Sequence, residues 1–165
     1  MTELVKLLRE ADIVVRGNVR LRGREESTAY FDVKKAYGDP KLLKKIGEAI
    51  AEKINKNSTC VVGKGYGGIS LATTVSLVKN IPLAIVRDSP QKHGLRKWIE
   101  GYIPKKDDLV AIVDDVFTTG GSIRETAEVI QNHGARVNEA YVVIKRGDVK
   151  MQFPVHYLVD SKELL

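Results

Sequence analysis

Several residue types are scarce in this 165-residue chain, and each scarcity argues against a class of protein. A single cysteine, Cys60, excludes an internal disulfide and a cysteine-based zinc cluster, and three scattered histidines show no metal-ligand spacing. No segment approaches the ~18 uninterrupted apolar residues that a membrane-spanning helix needs. The first ten residues alternate charged and apolar side chains, unlike the apolar core of a signal peptide. We therefore expect a cytoplasmic protein that does not act in a membrane.

Charged residues, in contrast, are plentiful and have a basic excess. The 27 basic and 21 acidic side chains give a net charge of +6, which favours nucleic acid or a phosphorylated small molecule as partner. The lysines are spread among glutamates along a helical pattern, and aromatic residues make up only 6% of the chain. Because a platform for single-stranded nucleic acid needs aromatic side chains beside clustered cations, we do not expect nucleic acid as the partner.

Apolar strands alternate with helices from about residue 40 onward. This order predicts a single α/β domain over residues 1–165, with a mostly parallel central sheet and helices on both faces. Residues 1–35 do not fit the alternation and predict a small N-terminal hood, with two strand runs about a turn at Gly17 and Asn18. The predicted strands of the sheet are 59–62, 83–86, 109–113, 137–144 and 155–159, and the predicted helices are 3–11, 40–54, 69–79 and 122–133.

The most informative stretch joins a buried strand to a helix. Apolar residues 110–113 lead into two adjacent carboxylates, Asp114 and Asp115 (the acidic pair), and then into a turn of small residues, 118–122 (the small-residue turn). Small residues let backbone amides converge on an anion, so the turn predicts a phosphate cradle. Carboxylates repel phosphate but accept hydrogen bonds from vicinal hydroxyls, so the stretch predicts a sugar phosphate. The alternative is that the acidic pair only caps the helix while the glycines form a tight turn.

A second glycine-rich turn, residues 63–68, lies between another strand and its helix. It satisfies the pattern G-x-G-x-x-G, and Asp88 follows 20 residues later, as a dinucleotide site requires. That hypothesis leaves the acidic pair unexplained, and a simple tight turn is a further alternative. A phosphate-loop ATPase is excluded, because the chain has no G-x-x-x-x-G-K-[ST] segment.

Residues 110–122 resemble the signature with which type I phosphoribosyltransferases bind ribose 5-phosphate and its pyrophosphate donor. The resemblance extends over most of the chain and is strongest to the orotate phosphoribosyltransferases of that family. It is carried further by residues 30–36 with 39–40, by 86–87 with 92–94 and 99–101, and by 144–148.

The resemblance implies a Mg²⁺-dependent reaction in pyrimidine synthesis. The 5-phosphoribosyl group of phosphoribosyl pyrophosphate (PRPP) is transferred to orotate, pyrophosphate is released, and orotidine 5'-phosphate forms. Mg²⁺ would be held mainly by oxygens of the donor, with the acidic pair assisting directly or through water. Two alternatives share the fold, namely a transferase for a purine base and a PRPP-binding regulator with little turnover.

The resemblance also implies the residues of the site. For PRPP these are Asp114, Asp115, Val116, Phe117, Thr118, Thr119, Gly120, Gly121 and Ser122. For the pyrophosphate they are Lys64, Gly65, Tyr66, Gly67 and Gly68. For the base they are Tyr30, Phe31, Thr118 and Arg146, and for catalysis Arg87, Lys92, His93 and Asp115. Ordinary strand packing of the aromatic pair and a surface position for the arginine are the alternatives.

A polar stretch over residues 88–104 separates two of the predicted strands. A loop of 17 residues in a compact domain is typical of a mobile lid, although a surface loop with incidental charge is the alternative. The resemblance implies that this lid closes over the neighbouring subunit's site in a homodimer. Asp88 and Gln91 stand where the family's lid carries basic residues, and residues 22–27 follow the family's pattern only loosely.

Overall fold

A six-stranded sheet occupies the centre of the part of the chain that the structure, a computed structural model, describes. The described residues are 2–20, 26–93 and 97–165. The strands are β1 (Val14–Arg20), β2 (Glu26–Phe31), β3 (Cys60–Lys64), β4 (Leu83–Val86), β5 (Ile99–Gly101), β6 (Leu109–Phe117), β7 (Arg136–Lys145) and β8 (Val155–Asp160). The sheet order is β5-β4-β3-β6-β7-β8, and its neighbours are parallel except β4 with β5.

The α-helices precede or connect strands in the described part of the chain, and the start of the second one has a clear local cause. They are α1 (Glu3–Glu10), α2 (Pro40–Lys53), α3 (Gly65–Lys79) and α4 (Gly121–Asn132), with short 3₁₀ helices at Val33–Gly38 and Ser161–Glu163. Asp39 caps α2 by accepting the Lys41 amide at 2.9 Å, and Pro40 takes the first helical position. Within the described ranges, none of the helices combines the length and apolar character that crossing a bilayer requires.

Alternate residues of the central strands pack against opposite helical layers. Val61, Ala111 and Val143 join a core formed with α1, α2 and α3, whereas Val62 and Ile112 join a second core formed with α4. Since successive side chains of a strand point to opposite faces, the sheet is buried on both sides. This arrangement confirms the predicted α/β fold with helices on both faces.

The N-terminal hairpin differs from its prediction in one respect. β1 pairs antiparallel with β2, and Gly17 and Asn18 lie within β1 rather than in a turn. The register shifts between Arg16 and Val19, and Gly17 has a φ of +135°. The glycine therefore forms an irregularity in a continuous strand, so the predicted turn was wrong. Residues 22–25 lie outside the described residues.

The other differences concern the residues at which strands and helices begin and end. β6 continues to Phe117 because residues 114–117 keep pairing with β7, so the acidic pair lies within the strand. Helix α3 begins at Gly65, four residues before its predicted start. Residues 99–101 of the predicted loop form the edge strand β5, where Val86 pairs with Ile99. A three-residue edge strand has too little periodicity to be found from the sequence.

Candidate active site

A cavity of about 450 Å³ lies at the carboxyl ends of β6 and β7, where a parallel sheet binds its ligands. It brings together the two groups of residues that the sequence predicted for the donor and for the base. The described residues that line it are Tyr30, Phe31, Asp114, Asp115, Val116, Phe117, Thr118, Thr119, Gly120, Gly121, Ser122, Ile123, Glu125 and Arg146.

The two members of the acidic pair occupy different environments. Asp114 is only 7% exposed, and its Oδ1 accepts the Asp115 amide at 2.9 Å. Burial, followed by the neighbouring Asp115 carboxylate, raises the pKa of Asp114 to about 7. The side chain of Asp115 is 19% exposed, and its Oδ2 lies 3.7 Å from Nζ of Lys34. One carboxyl is therefore buried and easily protonated, and the other faces the cavity beside a cation.

The small-residue turn depends on glycine at two positions. Gly120 precedes α4 with a φ of +78°, and a Cβ there would lie 2.9 Å from Sδ of Met151. A Cβ on Gly147 would lie 2.1 Å from the carbonyl oxygen of Thr118. Gly120 is the N-cap of α4 and has no side chain, so the acidic pair does not cap this helix. Since no side-chain cap at this helix start is found among the described residues, the first amides of α4 can bind an anion in the cavity.

The second glycine turn packs directly against the acidic pair. A Cβ on Gly67 would lie 2.3 Å from Oδ2 of Asp115, and one on Gly68 would lie 3.0 Å from the carbonyl oxygen of Val113. Only residues without a side chain allow the first turn of α3 to approach β6 this closely. Gly65 also requires glycine, since its φ is +67°. Tyr66 projects from this turn and is 88% exposed.

Lys64 precedes this turn but points away from the cavity. Its Nζ forms an ion pair with Glu125 of α4 and lies 3.9 Å from Oδ1 of Asp88. The predicted pyrophosphate residue is therefore held by two carboxylates in this structure, and it is not among the described residues that line the 450 Å³ cavity.

The predicted base residues meet at the opposite wall. The guanidinium of Arg146 lies 5.7 Å from the centre of the Phe31 ring and donates to the carbonyl oxygen of Ala29 at 2.9 Å. Phe31 is buried in the core, whereas Tyr30 is partly exposed to the cavity. The backbone amide of Arg146 donates to the carbonyl oxygen of Phe117 at 2.8 Å, which positions the arginine beside the small-residue turn.

The predicted catalytic residues of the lid lie outside the cavity wall. Nη1 of Arg87 is paired with Oε1 of Glu100 at 3.2 Å, and the Gln91 amide donates to the carbonyl oxygen of Lys97 at 3.0 Å. These contacts continue the antiparallel pairing of β4 with β5, so the predicted loop begins as a hairpin. Lys92 and His93 are exposed and are not among the described residues that line the cavity. Residues 94–96 of the lid lie outside the described residues.

Sequence reasoning missed two charged residues beside the acidic pair. Lys34 is 3.0 Å from Oδ1 of Asp32 and is the cation next to Asp115, and Glu125 lines the cavity. Glu125 lies one turn after the start of α4, so helical periodicity from Ser122 would have placed it on the cavity side. Lys34 follows the predicted base residues by only three positions, but nothing local indicates its ion pair.

The acidic pair supplies the carboxylate oxygens in the cavity wall that could hold a metal ion. In the ranges that the structure describes, no group of three or more histidine, cysteine, aspartate or glutamate side chains is placed to hold a metal ion. Mg²⁺ is commonly bound through one or two carboxylates together with the phosphates of a substrate. The two carboxyl groups of the pair meet that requirement at the cavity wall.

Comparison with known proteins gives consistent matches over most of the chain. The profile of the family "Phosphoribosyl transferase domain" matches residues 33–157. The orotate phosphoribosyltransferase of Methanocaldococcus jannaschii is 39% identical over 145 residues, which are 88% of this chain and 82% of that protein. The orotate phosphoribosyltransferase of Pyrococcus horikoshii is 38% identical over 147 residues, 87% of this chain and 78% of that protein. The crystal structure of orotate phosphoribosyltransferase from Aeropyrum pernix superposes with a TM-score of 0.78 at 27% identity, covering 98% of this chain and 96% of that one.

Proposed function

The chain belongs to the phosphoribosyltransferase family, and from that premise we propose that it is an orotate phosphoribosyltransferase acting in cytoplasmic pyrimidine synthesis. It transfers the 5-phosphoribosyl group of PRPP to orotate and releases pyrophosphate. The observation that carries the proposal is the single cavity shared by the acidic pair, the small-residue turn and Arg146. Its curated relatives at 34–39% identity bear the same name.

Each part of the cavity suits one part of the donor. The 5'-phosphate binds to the amides of the small-residue turn, and the ribose hydroxyls donate to the acidic pair. Asp115 is the better acceptor, because it faces the cavity, whereas Asp114 is buried. This orientation holds the anomeric carbon between the sugar site and the base site, so attack by the base nitrogen becomes effectively unimolecular.

The opposite wall suits a planar base with a carboxylate. Tyr30 offers a ring to the base, and Arg146 offers a guanidinium that can pair with a carboxylate in two parallel hydrogen bonds. The contact of Arg146 with Ala29 and Phe31 restricts its side chain before the base arrives. A purine base has no carboxylate, so this arginine favours orotate over the purine alternative.

Charge develops on the departing pyrophosphate and on the ribosyl ring during the transfer. When bound with the donor, Mg²⁺ would neutralise part of the pyrophosphate charge. Lys92 of the lid adds positive charge, and Lys92 and His93 together exclude water when the lid closes over the cavity. Their exposed positions in this structure are consistent with an open lid.

We infer a homodimer formed through α3. Tyr66 and Leu77 are 88% and 77% exposed and lie 11 residues apart, which places them on the same side of the helix about three turns apart. Two such exposed apolar side chains on one side of α3, beside the second glycine turn, suit contact with a second copy of the chain. A Leu77→Lys variant is expected to sediment as a monomer while the wild-type chain sediments as a dimer; equal masses for the two would contradict the interface.

An absorbance assay tests the proposed reaction. The protein is mixed with PRPP, Mg²⁺ and orotate, and loss of the orotate absorbance is followed against parallel mixtures with adenine, guanine and hypoxanthine. We expect orotate to be consumed, the purines to be unchanged, and chelation of Mg²⁺ to stop turnover. Formation of a purine nucleotide would support the purine alternative, and PRPP binding without product from any base would support the regulator.

A further inference from the structure

The charge of the donor cavity is poorly matched to a ligand that carries a phosphate and a pyrophosphate. Among the described residues that line it, three carry carboxyl groups, namely Asp114, Asp115 and Glu125, and one, Arg146, is a cation. The acidic pair has a role, since carboxylates accept the ribose hydroxyls. Glu125 has none in the proposed function, and its charge repels a pyrophosphate.

Glu125 is instead engaged with Lys64. The ammonium of Lys64 is paired with the Glu125 carboxylate and is 3.9 Å from Asp88, and the Lys64 side chain is only 12% exposed. A second cavity of about 370 Å³ lies on this side of the site. Glu125 lines both cavities and therefore forms part of the wall between them. The ammonium is held on the far side of that wall from the donor.

We propose that Glu125 is a positioning residue that competes with pyrophosphate for Lys64, so that the ion pair is exchanged when the donor binds and re-forms when pyrophosphate leaves. The inference rests on the proposed function and assigns a role to a residue that it leaves unexplained. Asp88 also competes with pyrophosphate for Lys64, because its carboxylate is the second one near the ammonium.

The positions of the three side chains make such an exchange feasible. Lys64 is followed directly by Gly65–Gly68, the turn that packs on the acidic pair, so its backbone already lies at the donor site. A lysine has a flexible four-carbon stem, and its ammonium can change partners without backbone movement. Pyrophosphate carries more negative charge than one carboxylate, so it attracts the ammonium more strongly at equal distance.

Whether the loss of the Glu125 charge raises or lowers the affinity for pyrophosphate distinguishes competition for Lys64 from a role in orienting Lys64 toward the donor. If Glu125 competes for Lys64, then removing its charge frees the ammonium and also removes a repulsive charge from the cavity wall. Pyrophosphate affinity should then rise. If Glu125 only oriented Lys64 toward the donor, the same change would lower the affinity.

Calorimetric titration of inorganic pyrophosphate in the presence of Mg²⁺ tests the proposal on the full chain. We expect Glu125→Gln to lower the Kd for pyrophosphate by up to about fivefold, the range of an ion pair with one exposed partner. Asp88→Asn should lower it less, because its carboxylate is farther from the ammonium. Glu128→Gln is the matched control, since Glu128 lies one turn further along α4, lines the second cavity but not the donor cavity, and forms no ion pair with any described residue.

Steady-state kinetics and a double variant complete the test. In Glu125→Gln the KM for PRPP should fall together with the Kd for pyrophosphate. Lys64→Met should raise both constants. In the Lys64→Met background, adding Glu125→Gln should change the Kd less than it does in the wild-type chain. An unchanged or raised Kd in Glu125→Gln, or an equal fall of the Kd in Glu128→Gln, would overturn this inference and leave the proposed function intact. Failure of the wild-type chain to bind pyrophosphate or PRPP would overturn the proposed function as well.

Discussion

Replacing Asp114 by asparagine should stabilise the folded protein at neutral and alkaline pH. The side chain is almost fully buried, and burial together with the Asp115 carboxylate raises its pKa from 3.8 to about 7. Since the folded pKa lies above the unfolded one, the stability that this group contributes is complete below about pH 4 and is lost as the pH rises through 7. Asparagine has the same shape and can still accept the Asp115 amide, but it carries no charge at any pH.

The difference between the folded and unfolded pKa values sets an upper bound on the stability gained by Asp114→Asn. It corresponds to about 4 kcal/mol of unfolding free energy at pH 8. For a chain of this size, 1 kcal/mol changes the melting temperature by about 2–4 °C, so Asp114→Asn should melt up to about 16 °C higher at pH 8. The gain should shrink progressively as the pH is lowered toward 4.

Thermal melts of both proteins between pH 4 and 8.5 measure this difference. Asp107→Asn is the control, because Asp107 is exposed and its replacement should leave the melting temperature nearly unchanged at every pH. A gain at pH 8 that did not diminish at low pH, or an Asp114→Asn variant less stable than the wild type at pH 8, would refute the reasoning. The double variant with Asp115→Asn should no longer bind PRPP, and unchanged affinity would remove the ribose assignment.

Three further predictions concern Lys34, Gly147 and the lid residue Lys92. Lys34→Ala should raise the KM for PRPP about tenfold, the loss of one charge-assisted contact, because Lys34 is the cation beside Asp115, the proposed acceptor of the ribose hydroxyls. Lys35→Ala should leave the KM unchanged, since Lys35 pairs with an exposed aspartate of the hood. Equal KM values for the two variants would contradict a contribution of Lys34 to the donor site. Gly147→Ala should lower the free energy of unfolding by about 2–4 kcal/mol and weaken PRPP binding, because the new methyl group would meet the backbone of the small-residue turn. Gly38→Ala is the control, since a methyl group there enters open space and should leave the free energy of unfolding unchanged in denaturant titrations. Lys92→Ala should lower kcat for orotate more than PRPP affinity, and an unaltered rate would remove it from the mechanism.

Local patterns determined much of the fold and part of the site. The alternation of apolar strands and helices predicted the parallel sheet, because the 2.0 and 3.6 periodicities depend only on neighbouring residues. The acidic pair and the small-residue turn were found in the same way, since a strand, its following turn and the start of α4 are continuous in the chain.

The sequence alone did not predict which side chains contact each other when they are far apart along the chain. Lys64 was predicted to face pyrophosphate from its place in a glycine turn, but Glu125, 61 residues later, holds it on the other side of the wall. Similarly, the contact of Arg146 with the carbonyl oxygen of Ala29 spans 117 residues.

The sequence by itself therefore determined the kind of fold, the family and the segment that forms the small-residue turn, because each of these depends on residues that are close along the chain. Only the tertiary structure decided which charges meet, that Asp114 is buried while Asp115 faces the cavity, and that Lys64 is paired away from it. The physical reason is that burial and ion pairing depend on distances in space. Those distances are set by how the helices pack on the sheet and not by the order of the residues.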